Sequence, residues 1–376
     1  MTYKKIKVLH IIKSLGRGGA EMLLPETLYL HNSNQFEFHY IYFLPWKNQM
    51  VSALESHGGI VKCFPANNNL RIFTQTKNVM NYIETERINI IHCHLPWSGF
   101  LGRLIHKRTG IPSIYTEHNI QEKYHFLTKT LNRLTFNYQS LALGVSSDVT
   151  RSIRENIKPK IKVKTILNGV NTNKFIFESK SRLKIRNIYG IPESGAVIGN
   201  VAVFRKQKGL LDWIEAFKIV EKNNPNVYGL LIGAGPEEDV IKEKIERSNL
   251  ENKIFLTGLQ EDTVSFFSAM DIYMMSSHFE GLPIALLEAM SCGCAIISTK
   301  AGGVVEVITD NEDGYLCDVG DSECLAEKAS NILNTSEKLE LAKVKSREKV
   351  LKHFSLDRLV ESLENIYLEL YDNKRG

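Results

Sequence analysis

The 376-residue sequence contains six cysteines and no CxxC pair, so it carries neither a zinc-ribbon pattern nor a disulfide framework. Cys63, Cys93, Cys292, Cys294, Cys317 and Cys324 fall mostly within apolar runs and read as buried free thiols. Long hydrophobic runs are also missing. Stretches such as Val8–Ile12 fall far short of the roughly 20 residues of a membrane-spanning helix. The basic start Met1–Lys7 leads into a short apolar run and then glycines, not into a signal-peptide core. These absences predict a cytoplasmic protein, and 43% hydrophobic with 24% charged residues suits a globular one. No Asp-x-Asp occurs, and there is no solenoid repeat and no low-complexity segment. No recognition motif or aromatic-interleaved basic groove marks nucleic acid as a partner.

What is present is unevenly distributed. Residues 1–170 hold 22 Lys+Arg against 10 Asp+Glu, whereas the remainder holds 25 against 32. The first half is therefore a cation and the second an anion. Six basic residues and one acidic lie in Arg151–Lys164. That segment is either a solvated face or a contact for an anionic membrane or substrate.

Chain length alone predicts two domains. Short apolar strand-like runs alternate with helical segments, which implies parallel sheets covered on both faces. Strands are expected near 8–12, 38–43, 60–64, 88–92, 113–116, 141–145 and 163–167. The pattern restarts at 196–203 and continues at 227–231, 253–256, 272–275, 295–298 and 314–317. The predicted domains are 1–171 and 172–355, with a final helix within 356–376 packing back on the first. Ligands of such sheets collect at the carboxyl ends of the strands.

Several strand ends carry chemistry. Ser14–Glu21 is a glycine-rich turn into a helix, but the third glycine of GxGxxG is missing, as it is in Gly233-Ala-Gly-Pro-Glu-Glu238. A dehydrogenase is thus weakly supported twice and confirmed nowhere. In Phe204-Arg-Lys-Gln-Lys-Gly209, Arg205 offers a planar fork and Lys208 a mobile point charge, a pair suited to a diphosphate. His92-Cys-His94 would place two imidazoles on one face if the strand continues, but no third ligand has convincing spacing, so no metal is expected. His118 ends another strand at a polar loop, as a structural or a functional residue. In His278–Met290, HFEGLPIALLEAM, a helix start with a glycine before it and a proline in its first turn is expected, which is a natural anion site. Glu280 at that place would repel an anion, and Glu288 lies further along the helix.

These pieces in this order resemble the family 4 glycosyltransferases of GT-B architecture. The resemblance rests on Gly18-Gly19-Ala20-Glu21, Thr116–Asn119, Asn168–Val170, Arg205 with Lys208-Gly209, Gly233-x-Gly235-Pro236, Glu280-x7-Glu288 and Gly302–Glu306. It covers nearly the whole chain. It implies two Rossmann-like, doubly wound parallel-sheet domains facing a cleft, with donor on the second and acceptor on the first. By this likeness Arg205 and Lys208 neutralise the diphosphate of a nucleotide-sugar donor, Glu288 holds the ribose and Glu280 meets hydroxyls of the transferred sugar. Gly281, Leu282, Pro283 and Ile284 approach phosphate or sugar, the Gly18-Gly19 loop closes on the donor, and His118 lines the reacting sugar. Phe204 stands where the family often has glycine, and the spacing from Arg205 to Lys208 is short, which leaves Lys206 as an alternative contact.

The function implied is retaining, metal-independent glycosyl transfer to a sugar or lipid-linked acceptor during surface polysaccharide assembly. The cationic first domain would suit peripheral contact with the inner face of an anionic plasma membrane. No cofactor beyond the nucleotide-sugar co-substrate is expected. The rival readings are a nucleotide-sugar epimerase of related fold and a non-catalytic carbohydrate-binding protein.

Overall fold

The computed structural model describes residues 5–374. Met1–Lys4 and Arg375–Gly376, the outermost residues of the predicted first domain and the start of the basic segment, lie outside the described residues. The chain divides into two compact units, Met1–Asn168 with Leu356–Gly376, and Gly169–Ser355. The division therefore falls after Asn168, three residues before the boundary read from the sequence.

The first unit is a seven-stranded sheet of β1 (Ile6–Ile11), β2 (Phe36–Tyr42), β3 (Ile60–Cys63), β4 (Ile90–His94), β5 (Ser113–Glu117), β6 (Leu141–Gly144) and β7 (Lys162–Thr165). Its order is β3-β2-β1-β4-β5-β6-β7 and every pairing is parallel. The second is a six-stranded parallel sheet of β8 (Ala196–Val201), β9 (Val227–Ile232), β10 (Ile254–Leu256), β11 (Ile272–Met275), β12 (Ala295–Thr299) and β13 (Tyr315–Cys317), in the order β10-β9-β8-β11-β12-β13. Both are doubly wound, and each reverses direction once, between β1 and β4 and between β8 and β11. That reversal leaves a crevice beyond the carboxyl ends of two central strands.

The strands are apolar because both faces are covered. In the first unit one face packs Leu9, Ile11, Ile91 and Cys93, and the other packs Val8, Ile90 and Leu143. The last helix, Leu356–Asp372, supplies Leu356, Leu359, Leu363, Ile366 and Tyr367 to the second of these layers. In the second unit Trp213 and Phe217, on the helix Leu210–Asn223, stack at 5.3 Å beneath the sheet. Asp271, just before β11, is buried against Arg182 (2.8 Å), Arg186 (2.7 Å) and Lys343 (3.2 Å). Burial alone would raise its pKa, but these cations hold the carboxyl below its ordinary range.

Two expectations need correction. Cys317 and Cys324 are paired, and only Cys63, Cys93, Cys292 and Cys294 are free. The short turn after β13 ends in Asp321, whose Oδ1 accepts from the Cys324 N–H at 2.9 Å. This cap brings the first turn of the helix Ser322–Leu333 back to the strand end, with the two Cα atoms 5.8 Å apart. Also, β4 extends to His94 instead of stopping at His92, so both imidazoles belong to the strand. Among the described residues no helix is long and apolar enough to cross a membrane.

Candidate active site

The second unit gathers most of the predicted residues at its crevice. After β8 the chain turns through Arg205 and a short 3-10 segment, Lys206–Lys208, into the helix Leu210–Asn223. After β11 it runs through Ser276–Pro283 into the helix Ile284–Ser291. Pro283 is the residue before the first turn, not within it. The two loops are laced together. Gln207 O accepts from the His278 N–H at 2.7 Å, Gln207 Nε2 donates to Phe279 O at 2.9 Å, and Ser276 Oγ donates to Gly209 O at 2.8 Å. Gly209 has φ +59, and a Cβ there would stand 2.2 Å from Ser276 O, so only glycine permits this approach.

Glu280 sits where the loops meet and is 6% exposed. Its Oε1 accepts from Lys208 Nζ at 2.7 Å and from Ser277 Oγ at 2.6 Å. The carboxylate that would by itself oppose an anion is thus matched by a cation from the neighbouring strand end. Arg205 and Lys206 are exposed beside that pair. Glu288 is likewise 6% exposed, on the fifth residue of its helix. Burial first, and then Glu280 and Glu288, push the Tyr273 hydroxyl pKa upward, so both carboxylates act on one neighbourhood. The Gly233–Pro236 loop supports the arrangement from behind. Phe204 is buried, its N–H donates to Ala234 O at 3.0 Å, and its carbonyl accepts from the Glu237 N–H at 3.1 Å. Phe204 in place of glycine is therefore an anchor that fixes where Arg205 begins.

In the first unit, Gly18 is the N-cap of the helix Gly19–Leu30, and Glu21 Oε1 accepts from Ser14 Oγ across the turn at 3.1 Å. His118 follows β5. Both regions meet a cavity of about 50 Å³, lined by Ala20, His10, His92, His94, Thr116 and His118 among others. The third imidazole that sequence spacing did not supply is His10, which the β1–β4 register places directly beside His92. His10 Nδ1 and His94 Nε2 are hydrogen-bonded at 2.9 Å, while His92 pairs with Tyr367 Oη (2.8 Å) and Thr116 Oγ1 (2.7 Å). His10 and His94 each spend one nitrogen on the other and both His92 nitrogens are hydrogen-bonded, so an ion at the roughly 2.0–2.1 Å of zinc ligation would have to replace these bonds.

In the neutral His10–His94 pair one nitrogen donates and the other accepts. The two remaining nitrogens, His10 Nε2 and His94 Nδ1, are then one acceptor and one donor. Neither meets a protein partner, nor does His118 Nε2. Burial holds these imidazoles neutral. His118 is pushed down to about 4, and His92 to about 3 by burial and then by His118 and His31. His10 and His94 also lie well below the ordinary histidine value, from burial and the adjacent rings. The result is a small, uncharged cavity whose walls are largely apolar, from Leu23, Leu24, Leu143, Val145 and Ile166, with the imidazole nitrogens as its hydrogen-bonding groups.

Beneath His118 lies a network that sequence reading passed over. Buried Glu117 accepts from Tyr115 Oη (2.7 Å), Gln121 Nε2 (2.7 Å), Tyr124 Oη (2.5 Å) and the His118 N–H (3.0 Å). Burial outweighs these bonds and raises its pKa. Only the Thr116–Asn119 stretch hinted at it, since its partners lie on separate elements.

Two doubly wound units, one with paired charges and a helix start at its crevice, form the frame of a glycosyltransferase. Residues 35–174 match the family described as Glycosyltransferase Family 4, and residues 181–349 match Glycosyl transferases group 1. The chain belongs to these glycosyltransferases and has their GT-B architecture. It is 31% identical to the N-acetyl-alpha-D-glucosaminyl L-malate synthase of Bacillus anthracis over 65% of this chain and 64% of that protein. It is 23% identical to the UDP-Gal:alpha-D-GlcNAc-diphosphoundecaprenol alpha-1,3-galactosyltransferase of Escherichia coli over 99% of both. With the capsular polysaccharide biosynthesis glycosyltransferase CapM of Staphylococcus aureus it shares 24% identity over 89% of this chain and 94% of that one. Among solved structures, Anabaena HepE in complex with UDP and glucose has a TM-score of 0.86 at 20% identity, covering 97% of this chain and all of that one.

Proposed function

We propose that this enzyme transfers a sugar from a nucleoside-diphosphate sugar to a lipid-linked acceptor in surface polysaccharide assembly, with retention and without a metal ion. The observation that carries the reading is the Lys208–Glu280 pair, flanked by exposed Arg205 and by the start of the helix Ile284–Ser291. Cleavage of the glycosyl–phosphate bond develops positive charge at the sugar carbon and negative charge on the departing diphosphate. Arg205, Lys208, with Lys206 as the alternative, and the amides of Gly281, Leu282 and Ile284 are the groups assigned to that diphosphate. Glu280 takes sugar hydroxyls and Glu288 the ribose.

In the first unit, the Gly18-Gly19 loop and His118 are assigned to the donor and the reacting sugar. A neutral His118 can hydrogen-bond a sugar without opposing the positive charge that develops there. The bond from the sugar carbon to the diphosphate breaks, a bond to the acceptor oxygen forms, and the acceptor proton leaves on the diphosphate oxygen. The nucleotide-sugar and lipid-linked substrates named for the Escherichia coli relative, and the UDP and glucose bound to HepE, support the substrate classes. Location on the inner face of the plasma membrane, through the cationic first unit, is part of the same reading.

The test screens nucleotide sugars by thermal shift, since a ligand stabilises the fold by mass action. It then measures nucleotide release with undecaprenyl-diphosphate-linked sugars as acceptors. Arg205→Ala and Glu280→Ala should each abolish most turnover. Full activity in either would overturn the site assignment, and epimerisation of donor without acceptor would overturn the transfer itself.

A further inference from the structure

The helix Phe126–Thr135 faces the wrong way for an ordinary surface helix. Its inward side is polar: buried Asn132 accepts from Arg103 Nη1 at 2.9 Å and donates to Gln121 Oε1 at 2.9 Å, and Thr128 is buried as well. Its outward side is apolar, with Phe126 79% exposed, Leu127 51% and Leu134 70%. At 100° per residue, positions 126, 127 and 134 fall within about a third of a turn, and Lys129 with Arg133 form the border on one side. Hydrophobic contact with the core therefore does not explain these residues.

The surroundings of the stripe are cationic. Between Ile88 and Ser147 the acidic side chains are Glu117, which is buried, and Glu122, which accepts from Ser152 Oγ at 2.5 Å and also from Asn156. Against them stand Lys107, Arg108, Lys123, Lys129 and Arg133. Tyr138, just beyond the helix and partly exposed, lies under Lys107 Nζ at 4.5 Å. Asn137 Oδ1 accepts from the Lys160 N–H at 2.7 Å, which joins the stripe to the basic run Arg151–Lys164. An apolar strip bordered by cations, with an aromatic hydroxyl at its end, matches the headgroup boundary of an anionic bilayer.

We propose that the Phe126–Thr135 helix inserts its Phe126, Leu127 and Leu134 face into an anionic phospholipid surface, with Lys129 and Arg133 on the headgroups. This names the contact element of the membrane location proposed above and rests on that reading. The helix is also tied to the site, because Tyr124, two residues before it, and Gln121, bonded to its Asn132, both donate to Glu117 next to His118. Docking would thus fix His118 at a set height above the bilayer, where a lipid-linked acceptor presents its sugar.

The test is co-sedimentation of the full chain with phosphatidylcholine vesicles and with vesicles of equal parts phosphatidylcholine and phosphatidylglycerol. Wild type should sediment with the anionic vesicles only. Phe126→Ser with Leu134→Ser should weaken partitioning about tenfold or more, and Lys129→Gln with Arg133→Gln about thirtyfold. Phe126, Leu134 and Arg133 are exposed and Lys129 is half-buried, so melting temperatures should hold; if the serine pair does not fold, the glutamine pair decides. Equal binding to neutral vesicles, no binding, undiminished binding by the variants, or a doubled mass in solution that Phe126→Ser with Leu134→Ser abolishes would each overturn the proposal. Thermal shifts with UDP, GDP, ADP and TDP on the same samples separate the two readings. A shift without vesicle binding defeats only the membrane contact, whereas vesicle binding without any shift defeats only the donor assignment.

Discussion

The buried histidines make stability in the first unit depend on pH in a direction the structure fixes. His92 titrates at about 3 and His118 at about 4 when folded, against 6.5 without the fold. The unfolded chain therefore binds protons that the folded unit refuses, so stability is full well above the unfolded value and falls as the pH drops through it. From about pH 7.5 to about pH 5, each such histidine costs ~2 kcal/mol, or ~4 kcal/mol for the two. His10 and His94, lowered in the same direction, add to this. Glu364 accepts from His31 and is held below the carboxylate range despite burial, so it extends the loss to lower pH. Glu117, raised by burial, works the other way and offsets part. For a unit of this size ~4 kcal/mol lowers the melting midpoint by roughly 8–16 °C. Calorimetry across that pH range should show the transition of the first unit moving down. His92→Asn, which cannot titrate, should remove ~2 kcal/mol of the dependence. A transition that stays in place, or rises, on acidification would refute the burial argument.

Other expectations concern the second unit. Glu280→Gln keeps the size of the side chain but leaves Lys208 without its charge partner, and turnover should fall about 100-fold or more, by roughly 3 kcal/mol; steady-state assay with the identified donor checks this. Gly302→Ala should impair activity and stability together, since Gly302 has φ +58 and a Cβ there would lie 2.1 Å from Glu280 O. A cost of about 1–2 kcal/mol from backbone handedness alone, read by denaturant unfolding, is the minimum expected. Chelation by EDTA should leave turnover unchanged if Arg205 and Lys208 serve the diphosphate, and strong inhibition would contradict the metal-independent proposal.

The fold was largely legible because continuous apolar strands separated by helical segments admit few architectures. The sites were legible where one strand end carries its own chemistry, as in Arg205–Lys208 and Glu280–Glu288. What depends on two distant strand ends was hidden. Lys208 and Glu280 could each be assigned to a ligand, but their mutual ion pair arises from the adjacency of β8 and β11. His10 was passed over because its relation to His92 is set by the register of β1 on β4, across more than eighty intervening residues. The Cys317–Cys324 pairing escaped for a related reason: the turn geometry after β13, not a spacing motif, closes that loop. The outward stripe of Phe126–Thr135 was equally invisible, because amphipathic periodicity does not say which side faces the core.

The return of the last helix to the first unit has a consequence for biosynthesis. Domains usually fold in the order they emerge from the ribosome. Here the second unit is complete by Ser355, while the first still lacks the layer that Leu356–Asp372 supplies and the Tyr367 hydroxyl that pairs with His92. The unit encoded first is therefore finished last. Until those turns are translated, the sheet face is covered only in part, by Leu24, Leu28 and Leu54, and His92 Nδ1 lacks its partner, the condition in which chaperone protection matters most.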